Sequence, residues 1–391
     1  MSMSSQGPDA LDREALSGPL GLYLHIPFCK DRCTYCSFTT TRDWALMDAV
    51  LERLQRDLDT WGERLGRPGV DTLYLGGGTP SVLSLEHLSQ LVARARRTFD
   101  LGPLAEATLE ANPGTVDPAW LRGARDLGFD RISLGVQALD DTLLGHLGRI
   151  HGSQEALEAI RMAGEAGFRR ISADLMVGIP GQKLDRVLAD ARTLVAAGCT
   201  HLSIYLLDLD KACPLKAQVE AGRLSLPSED EVADVFEALQ VELPALGLAP
   251  YEISNYAVPG QESRHNNRYW ERRPYLGLGP GAASHLGAWR WTESHVLPAW
   301  VEGRGVREAD ELDATEDLAE IPLLGLRRHV GIDWEALRAT ATVRNLLPLV
   351  DGWERQLAPL LKGGLLEREG PVLRLTSRGM LLSNGILQMF A

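Results

Sequence analysis

The chain has 391 residues, 45% hydrophobic and 24% charged, with a formal net charge of −13, enough for one large core and a smaller second one. The acidic balance argues against a nucleic-acid partner or a role on an anionic membrane surface, since both require a basic face. No run of about 18 apolar residues marks a membrane span, and the polar start "MSMSSQGPDALDREALSG" lacks the basic region and apolar run of a leader, so a cytoplasmic location and a loose tail over 1–20 are expected.

From residue 21 to about 206, short β-branched or aromatic runs alternate with amphipathic stretches. "GLYLHI", "VDTLYLGG", "EATLEAN", "DRISLGV", "RRISADLMVG" and "THLSIYLL" read as strands. "RDWALMDAVLERLQRDLDTWGERLG", "SLEHLSQLVARARRTF" and "LDRVLADARTLVAAG" carry apolar residues at three-and-four spacing and read as helices. Repeated strand–helix units imply a parallel sheet with helices outside. Six units are too few for a closed eight-stranded barrel, so the expected fold is an α/β open, partial (β/α)6 barrel over 21–248. "SLPSEDEVADVFEALQVELPALGL" reads as a capped helix, after which 249–310 is a connecting segment rich in Gly, Pro and aromatics. An aperiodic stretch of that length in a compact protein is usually functional. Over 311–391, a helix, short strand, turn, strand and helix suggest a mostly helical, winged-helix-like unit. It lacks a basic recognition helix, which points to packing or a lid rather than to DNA.

Three of the five cysteines, Cys29, Cys33 and Cys36, stand together in "LHIPFCKDRCTYCSF". Thiols this close can form a disulfide, bind zinc, or hold an iron–sulfur cluster. A reducing compartment and an odd count weaken the first. Structural zinc usually takes four ligands; His25 could add a fourth, but no second cysteine pair follows. A cubane with three protein-held irons and one open iron is the third reading. Cys199 reads as a small core residue and Cys213 as a loop thiol.

Other polar residues fall where successive apolar strands end: "GGGTP" (Gly76 to Pro80), "LEANP" with Glu110, "GVQ" with Gln137, and "ADLMVGIPGQ" with Asp174. Each alone reads as an ordinary cap or turn residue. Together they mark the C-terminal edge of the sheet, where α/β proteins bind ligands. Arg149 in "LGRIH" could pair with a ligand carboxylate, although an arginine on a helical stretch is commonly a solvated charge.

The C-x3-C-x2-C spacing after the first strand of a partial-barrel pattern resembles the radical S-adenosylmethionine (SAM) superfamily. In order, "YLHIPFC", "GGGTP", "LEANPGT", "SLGVQALDD", "GRIH" and "DLMVGIPGQ" resemble the family that contains oxygen-independent coproporphyrinogen III oxidase and the heme chaperone HemW, nearly from end to end. The resemblance implies a [4Fe–4S] cluster on Cys29, Cys33 and Cys36. It implies SAM bound by Tyr35, Gly77, Gly78, Thr79, Glu110, Gln137, Arg149 and Asp174, with Tyr23 and His25 beside the cluster. Oxidases of the family carry a further cysteine where this chain has Phe38, and a longer N-terminal extension where about twenty residues precede the first strand here. Both departures imply the chaperone branch.

"HNNRYW" (His265 to Trp270) resembles the heme-binding segment of that branch. It implies heme, with His265 as axial ligand and Tyr269 and Trp270 as flat partners for the porphyrin. The ordinary reading of His265 is a hydrogen-bonding residue in an ordered loop. The expectation is therefore a heme chaperone that passes heme to acceptor proteins, membrane-bound respiratory enzymes among them, with oxidase activity lost and a homodimer left open. The alternative is the oxidase itself, acting in porphyrin biosynthesis by oxidative decarboxylation through a 5′-deoxyadenosyl radical. Another tetrapyrrole-modifying enzyme ranks third.

Overall fold

A computed structural model describes residues 8–391. Residues 1–7 of the expected tail lie outside the described residues. The remainder of that tail is not loose: Asp9 pairs with Arg64 and Arg307, and Leu20 already belongs to the first strand.

Six strands run in parallel, each followed by helix: β1 (Leu20–Ile26), α1 (Met47–Arg64), β2 (Val70–Gly77), α2 (Leu85–Thr98), β3 (Glu106–Ala111), α3 (Pro118–Asp126), β4 (Arg131–Gln137), α4 (Asp141–His146) and α5 (Ser153–Glu165), β5 (Arg170–Val177), α6 (Leu184–Ala196) and β6 (His201–Leu206). Helices α7 (Pro214–Glu220) and α8 (Glu229–Ala245) follow, the latter opened by a capping box between Ser228 and Glu231. The expected open α/β barrel is present, and its two edges do not pair.

The segment 249–310 is more ordered than its composition suggests. It holds β7 (Ala249–Pro250), β8 (Asn255–Ala257), helix α9 (Arg264–Trp270), β9 (Tyr275–Leu278), β10 (Ala283–Leu286), β11 (Trp289–Thr292) and β12 (Glu308–Glu311). Together they extend the sheet to twelve strands, in the order β12-β11-β10-β9-β1-β2-β3-β4-β5-β6-β8-β7. β9 lies parallel against β1. Strands of two to four residues are too short to show an alternating pattern, which hid them in the sequence.

Alternation along the six long strands sorts the side chains into two faces. Leu22, Leu24, Leu73, Leu75, Leu109, Ile132, Leu134, Ile171, Leu175, Leu202 and Ile204 face the helices in one apolar core, each contributing roughly 1.5–3 kcal/mol by leaving water. The other face is polar: Tyr23 and His25; Thr72 and Tyr74; Glu106 and Glu110; Arg131 and Ser133; Ser172 and Asp174; His201 and Ser203. Register aligns them across the sheet, with Tyr23 beside Tyr74, Glu110 beside Ser133 and Asp174 beside Ser203.

Helix α9 closes the N-terminal end of this polar interior. The fully buried Glu106 accepts hydrogen bonds from the Arg264 and His265 backbone N–H groups at 2.8 and 3.0 Å and is paired with Arg170 at 2.7 Å. Arg268 reaches under Gly21, where an added Cβ would stand 2.5 Å from its Cδ. There it pairs with Asp71 and donates to Thr72 Oγ1 at 3.1 Å.

The C-terminal unit has its own core, including Leu318, Trp334, Leu337, Val350, Trp353, Leu357 and Phe390. Helices Ala314–Gly325, Trp334–Val343 and Leu347–Lys362 surround a small sheet in which Val372–Leu375 pairs with Leu366–Glu369 and Ile332–Asp333. This is the expected mostly helical, winged-helix-like arrangement.

Glu106→Ala would leave Arg170 without its fully buried partner and free the donors at the start of α9. We expect denaturant unfolding to show a loss of about 3–5 kcal/mol, the usual cost of breaking a buried pair from one side. The exposed Glu308→Ala should change stability by less than about 0.5 kcal/mol. Equal effects of the two substitutions would show that Glu106 does not anchor the helix.

Candidate functional site

A cavity of about 430 Å³ opens at the C-terminal ends of the parallel strands. Its lining brings together Cys29, Cys33, Cys36, Tyr35, Gly77, Gly78, Thr79, Glu110, Gln137, Arg149 and Asp174, which are all of the expected cluster and SAM residues except Tyr23 and His25. Phe38 stands on the same rim with Tyr205 and Leu206, at 66%, 42% and 55% exposure.

The cysteines lie on the loop after β1, which has no regular structure and is held by hydrogen bonds to distant segments. Cys29 N donates to Thr41 O at 3.0 Å, Thr34 N to Leu147 O at 3.0 Å, and Leu215 N to Thr34 O at 2.9 Å. The thiols have polar company: Thr79 Oγ1 lies 3.5 Å from Cys29 Sγ, and Arg149 Nη1 lies 3.2 Å from Cys33 Sγ. Burial pushes the Cys29 thiol up to about 11 and raises that of Cys36, so ligation of a metal would release their protons. Among the described residues, no three His, Cys, Asp or Glu side chains are gathered as ligands of a single ion. A cubane requires a different arrangement, with each thiolate on its own iron.

The glycine run after β2 packs against the cysteine loop. Gly78 N donates to Ile26 O at 2.8 Å, and a Cβ at Gly78 would stand 2.8 Å from Phe28 O. Gly77 has φ of 110° and abuts the His25 ring. Its N–H also donates to Glu110 Oε2 at 3.0 Å, while Tyr74 Oη donates to Glu110 Oε1 at 2.7 Å. Burial, with the Asp174 charge adding to it, pushes Glu110 up to about 7; burial likewise takes Asp174 to about 6. Two such carboxyls facing one cavity suit a ligand that supplies hydrogen-bond donors or positive charge.

Arg149 is not the solvated charge of its ordinary reading. It lies half-buried in the site, donating to Gly135 O at 2.5 Å and to Asn112 Oδ1. Gln137 has φ of 72°, and its Oε1 is buried with no partner in the protein. A strained residue holding an unsatisfied polar atom on the cavity wall fits an absent ligand.

Two of the expected cofactor residues stand apart from this cavity. Tyr23 sits one layer below the cavity, its hydroxyl 3.1 Å from His25 Nδ1 and its ring 5.9 Å from that of Tyr74. His265 lies at the opposite end of the barrel, fully buried, with Nδ1 2.9 Å from Thr72 Oγ1. Tyr23, Tyr74 and Tyr269 wall its ring, at centroid distances of 6.5, 5.1 and 5.5 Å. Its Nε2 is buried without a protein partner, and the motif forms a packed helix instead of a loop.

The chain matches the family model described as the Radical SAM superfamily over residues 23–194 and the HemN C-terminal domain over 312–382. It is 35% identical to the heme chaperone HemW of Mycobacterium tuberculosis, covering 95% of this chain and 94% of that one. It is 32% identical to the heme chaperone HemW of Bacillus subtilis, with coverage of 94% and 98%, and 32% identical to that of Escherichia coli, with 95% and 98%. The chain belongs to the HemW family. Coproporphyrinogen III oxidase (HemN) from Escherichia coli shares the HemW-family fold seen here, at a TM-score of 0.83 over 97% of this chain and 91% of that one, with 23% identity. The radical SAM match implies a [4Fe–4S] cluster and SAM as cofactors of the HemW fold, and the unpartnered Gln137, the raised carboxyls and the cradled thiols fit them.

Sequence reading missed Tyr74, Asn112, Gly135, Ser133 and Ser203. For Tyr74, Ser133 and Ser203 the signal is the polar alternate position along each strand.

Raised carboxyl pKa values make the protein most stable when those groups keep their protons. For Glu110 that contribution is intact below the ordinary carboxyl value of 4.5 and is lost as pH rises towards about 7. We expect the ligand-free chain to lose stability from pH 4.5 to 7 more steeply than Glu110→Gln does, by paired denaturant titrations. Identical slopes would mean that Glu110 ionises normally.

Proposed function

We propose that this chain is a heme chaperone that binds heme together with a [4Fe–4S] cluster and SAM and passes the heme to acceptor proteins. The observation that carries the reading is the likeness, over more than nine-tenths of the chain, to proteins named heme chaperone HemW, supported by the cavity that gathers the expected cofactor residues. Cys29, Cys33 and Cys36 would ligate the cluster. When bound with SAM at its open iron, the cluster supplies reductive radical chemistry. Arg149 would pair with the SAM carboxylate, while Glu110, Asp174 and Gln137 would take its polar groups, with Tyr35 beside the adenine.

Phe38 on the rim favours the chaperone over the oxidase, since oxidases of the family carry a further cysteine at this position. We place the protein in the cytoplasm; among its described residues no helix is long and apolar enough to cross a membrane. Membrane-bound respiratory enzymes are the proposed class of acceptor.

Anaerobically reconstituted protein should hold about four irons per chain. Cys29→Ala, Cys33→Ala and Cys36→Ala should each abolish the cluster, and Cys199→Ala should retain it. The wild-type protein should bind added heme and, with SAM and reductant, leave coproporphyrinogen III unchanged by mass analysis. Steady decarboxylation would replace the chaperone reading with the oxidase. A cluster that survives all three cysteine substitutions would remove the assigned metal site.

A further inference from the structure

We infer that helix α9 is a positioning element for the cofactor cavity, in which His265 fixes Tyr74 and Tyr74 in turn fixes the carboxylate of Glu110. The inference rests on the reading that SAM occupies the cavity above Glu110, and it assigns the HNNRYW segment a role other than iron ligation.

The chain of contacts is continuous. Glu106 holds the start of α9 through two backbone N–H groups, and Arg268 holds its body through Asp71 and Thr72. Thr72 Oγ1 lies 2.9 Å from His265 Nδ1, so the imidazole is fixed at one edge by the same hydroxyl that Arg268 touches. The His265 ring then packs 5.1 Å from the ring of Tyr74, tilted by 33°, while Tyr23 backs Tyr74 from the neighbouring strand at 5.9 Å. Tyr74 and Thr72 are two residues apart on β2 and share its inner face. With its ring walled on these sides, Tyr74 has its hydroxyl aimed at Glu110 Oε1, 2.7 Å away.

Glu110 is the only one of these residues that lines the cavity. Its second oxygen is held by Gly77 N–H, so Tyr74 and Gly77 together set the carboxylate plane. A rotated carboxylate would present its lone pairs to the wrong place, and restoring the angle on binding would cost affinity. The opposite end of α9 is fixed to the C-terminal unit: Arg272 pairs with Asp317 and Glu320, and the Arg327 guanidinium lies 4.8 Å from the Trp270 ring.

The test uses reconstituted full-length protein and three variants, reading iron content, SAM affinity by equilibrium dialysis, and the absorption spectrum of added heme. Tyr74→Phe keeps the ring and loses the bond to Glu110, so SAM affinity should fall roughly tenfold. His265→Ala removes the wall behind Tyr74 and should weaken SAM binding by a similar factor. His265→Phe restores a flat ring and should return affinity to within about twofold of wild type. Iron content and the heme spectrum should be the same in all three.

Unchanged SAM affinity in both Tyr74→Phe and His265→Ala would overturn the inference, as would failure of His265→Phe to recover what Ala loses. Loss of the heme spectrum in both His265 variants would also overturn it, by showing that the imidazole ligates iron. Should His265→Ala fail to fold, Tyr74→Phe carries the test alone. Wild-type protein that binds SAM but no heme would remove the proposed function, while the expected variant pattern in SAM affinity would still support this inference.

Discussion

The constraint on which the rest of the structure depends is that the inner face of the barrel sheet is polar. A buried donor or acceptor left without a partner costs about as much as several good contacts give, so most of these inward groups are answered by another. Glu106, Arg131, Arg170, His201 and the hydroxyls of Thr72, Ser133, Ser172 and Ser203 cannot be capped by an apolar helix. Helix α9 can close that end because it brings its own free N–H groups to Glu106 and its own arginine to Asp71. At the other end no such plug arrives. The polar face there opens into the cavity, where Gln137 Oε1 has no partner; towards the closed end Thr108 Oγ1, Arg131 Nη1 and His265 Nε2 also lack one.

The two ends of one strand thus do different work through the same alternation. On β3, Glu106 anchors the plug and Glu110, four residues on, faces the cavity. Their ionisation differs accordingly. Desolvation raises both, but Arg131 and Arg170 beside the fully buried Glu106 outweigh it and hold that carboxyl below the usual range, whereas at Glu110 desolvation and the neighbouring Asp174 charge prevail over its hydrogen bonds. A carboxyl answered by arginine is structural; one left partly unanswered at a cavity is available to a ligand.

Most of the barrel was legible because long strands alternate and long helices repeat every three or four residues. The strand bounds of "VDTLYLGG" coincide with β2, and the "GVQ", "LEANP" and "ADLMVG" ends deliver Gln137, Glu110 and Asp174 to one cavity. The outer strands β7 to β12 were not legible, since two to four residues carry no period. The destination of HNNRYW was not legible either. Its imidazole and aromatic rings suit a porphyrin as well as they suit a packed helix, and the Glu106 carboxylate that anchors that helix lies some 159 residues away in sequence from His265. Long-range partners of this kind leave no local trace.

That dependence on distant partners also explains why the plug couples the two units of the chain. Arg268 touches β1, β2 and the turn before β9 through Pro19, Asp71, Thr72 and Pro274. Four residues on, Arg272 adopts φ of 54°, a left-handed conformation that costs a non-glycine residue free energy, and this turns its guanidinium towards Asp317 and Glu320. Arg290 on β11 pairs with the same Glu320 at 2.5 Å, and Arg344 with the same Asp317 at 2.5 Å. The carboxylates of the C-terminal unit are therefore shared between its own helices, the extended sheet and the turn after α9. Displacing the C-terminal unit would strand Arg272 and take the Arg327 guanidinium from the Trp270 ring. The plug, the sheet extension and the C-terminal unit then behave as one assembly around the closed end of the barrel, leaving the cavity as the end free to receive a ligand.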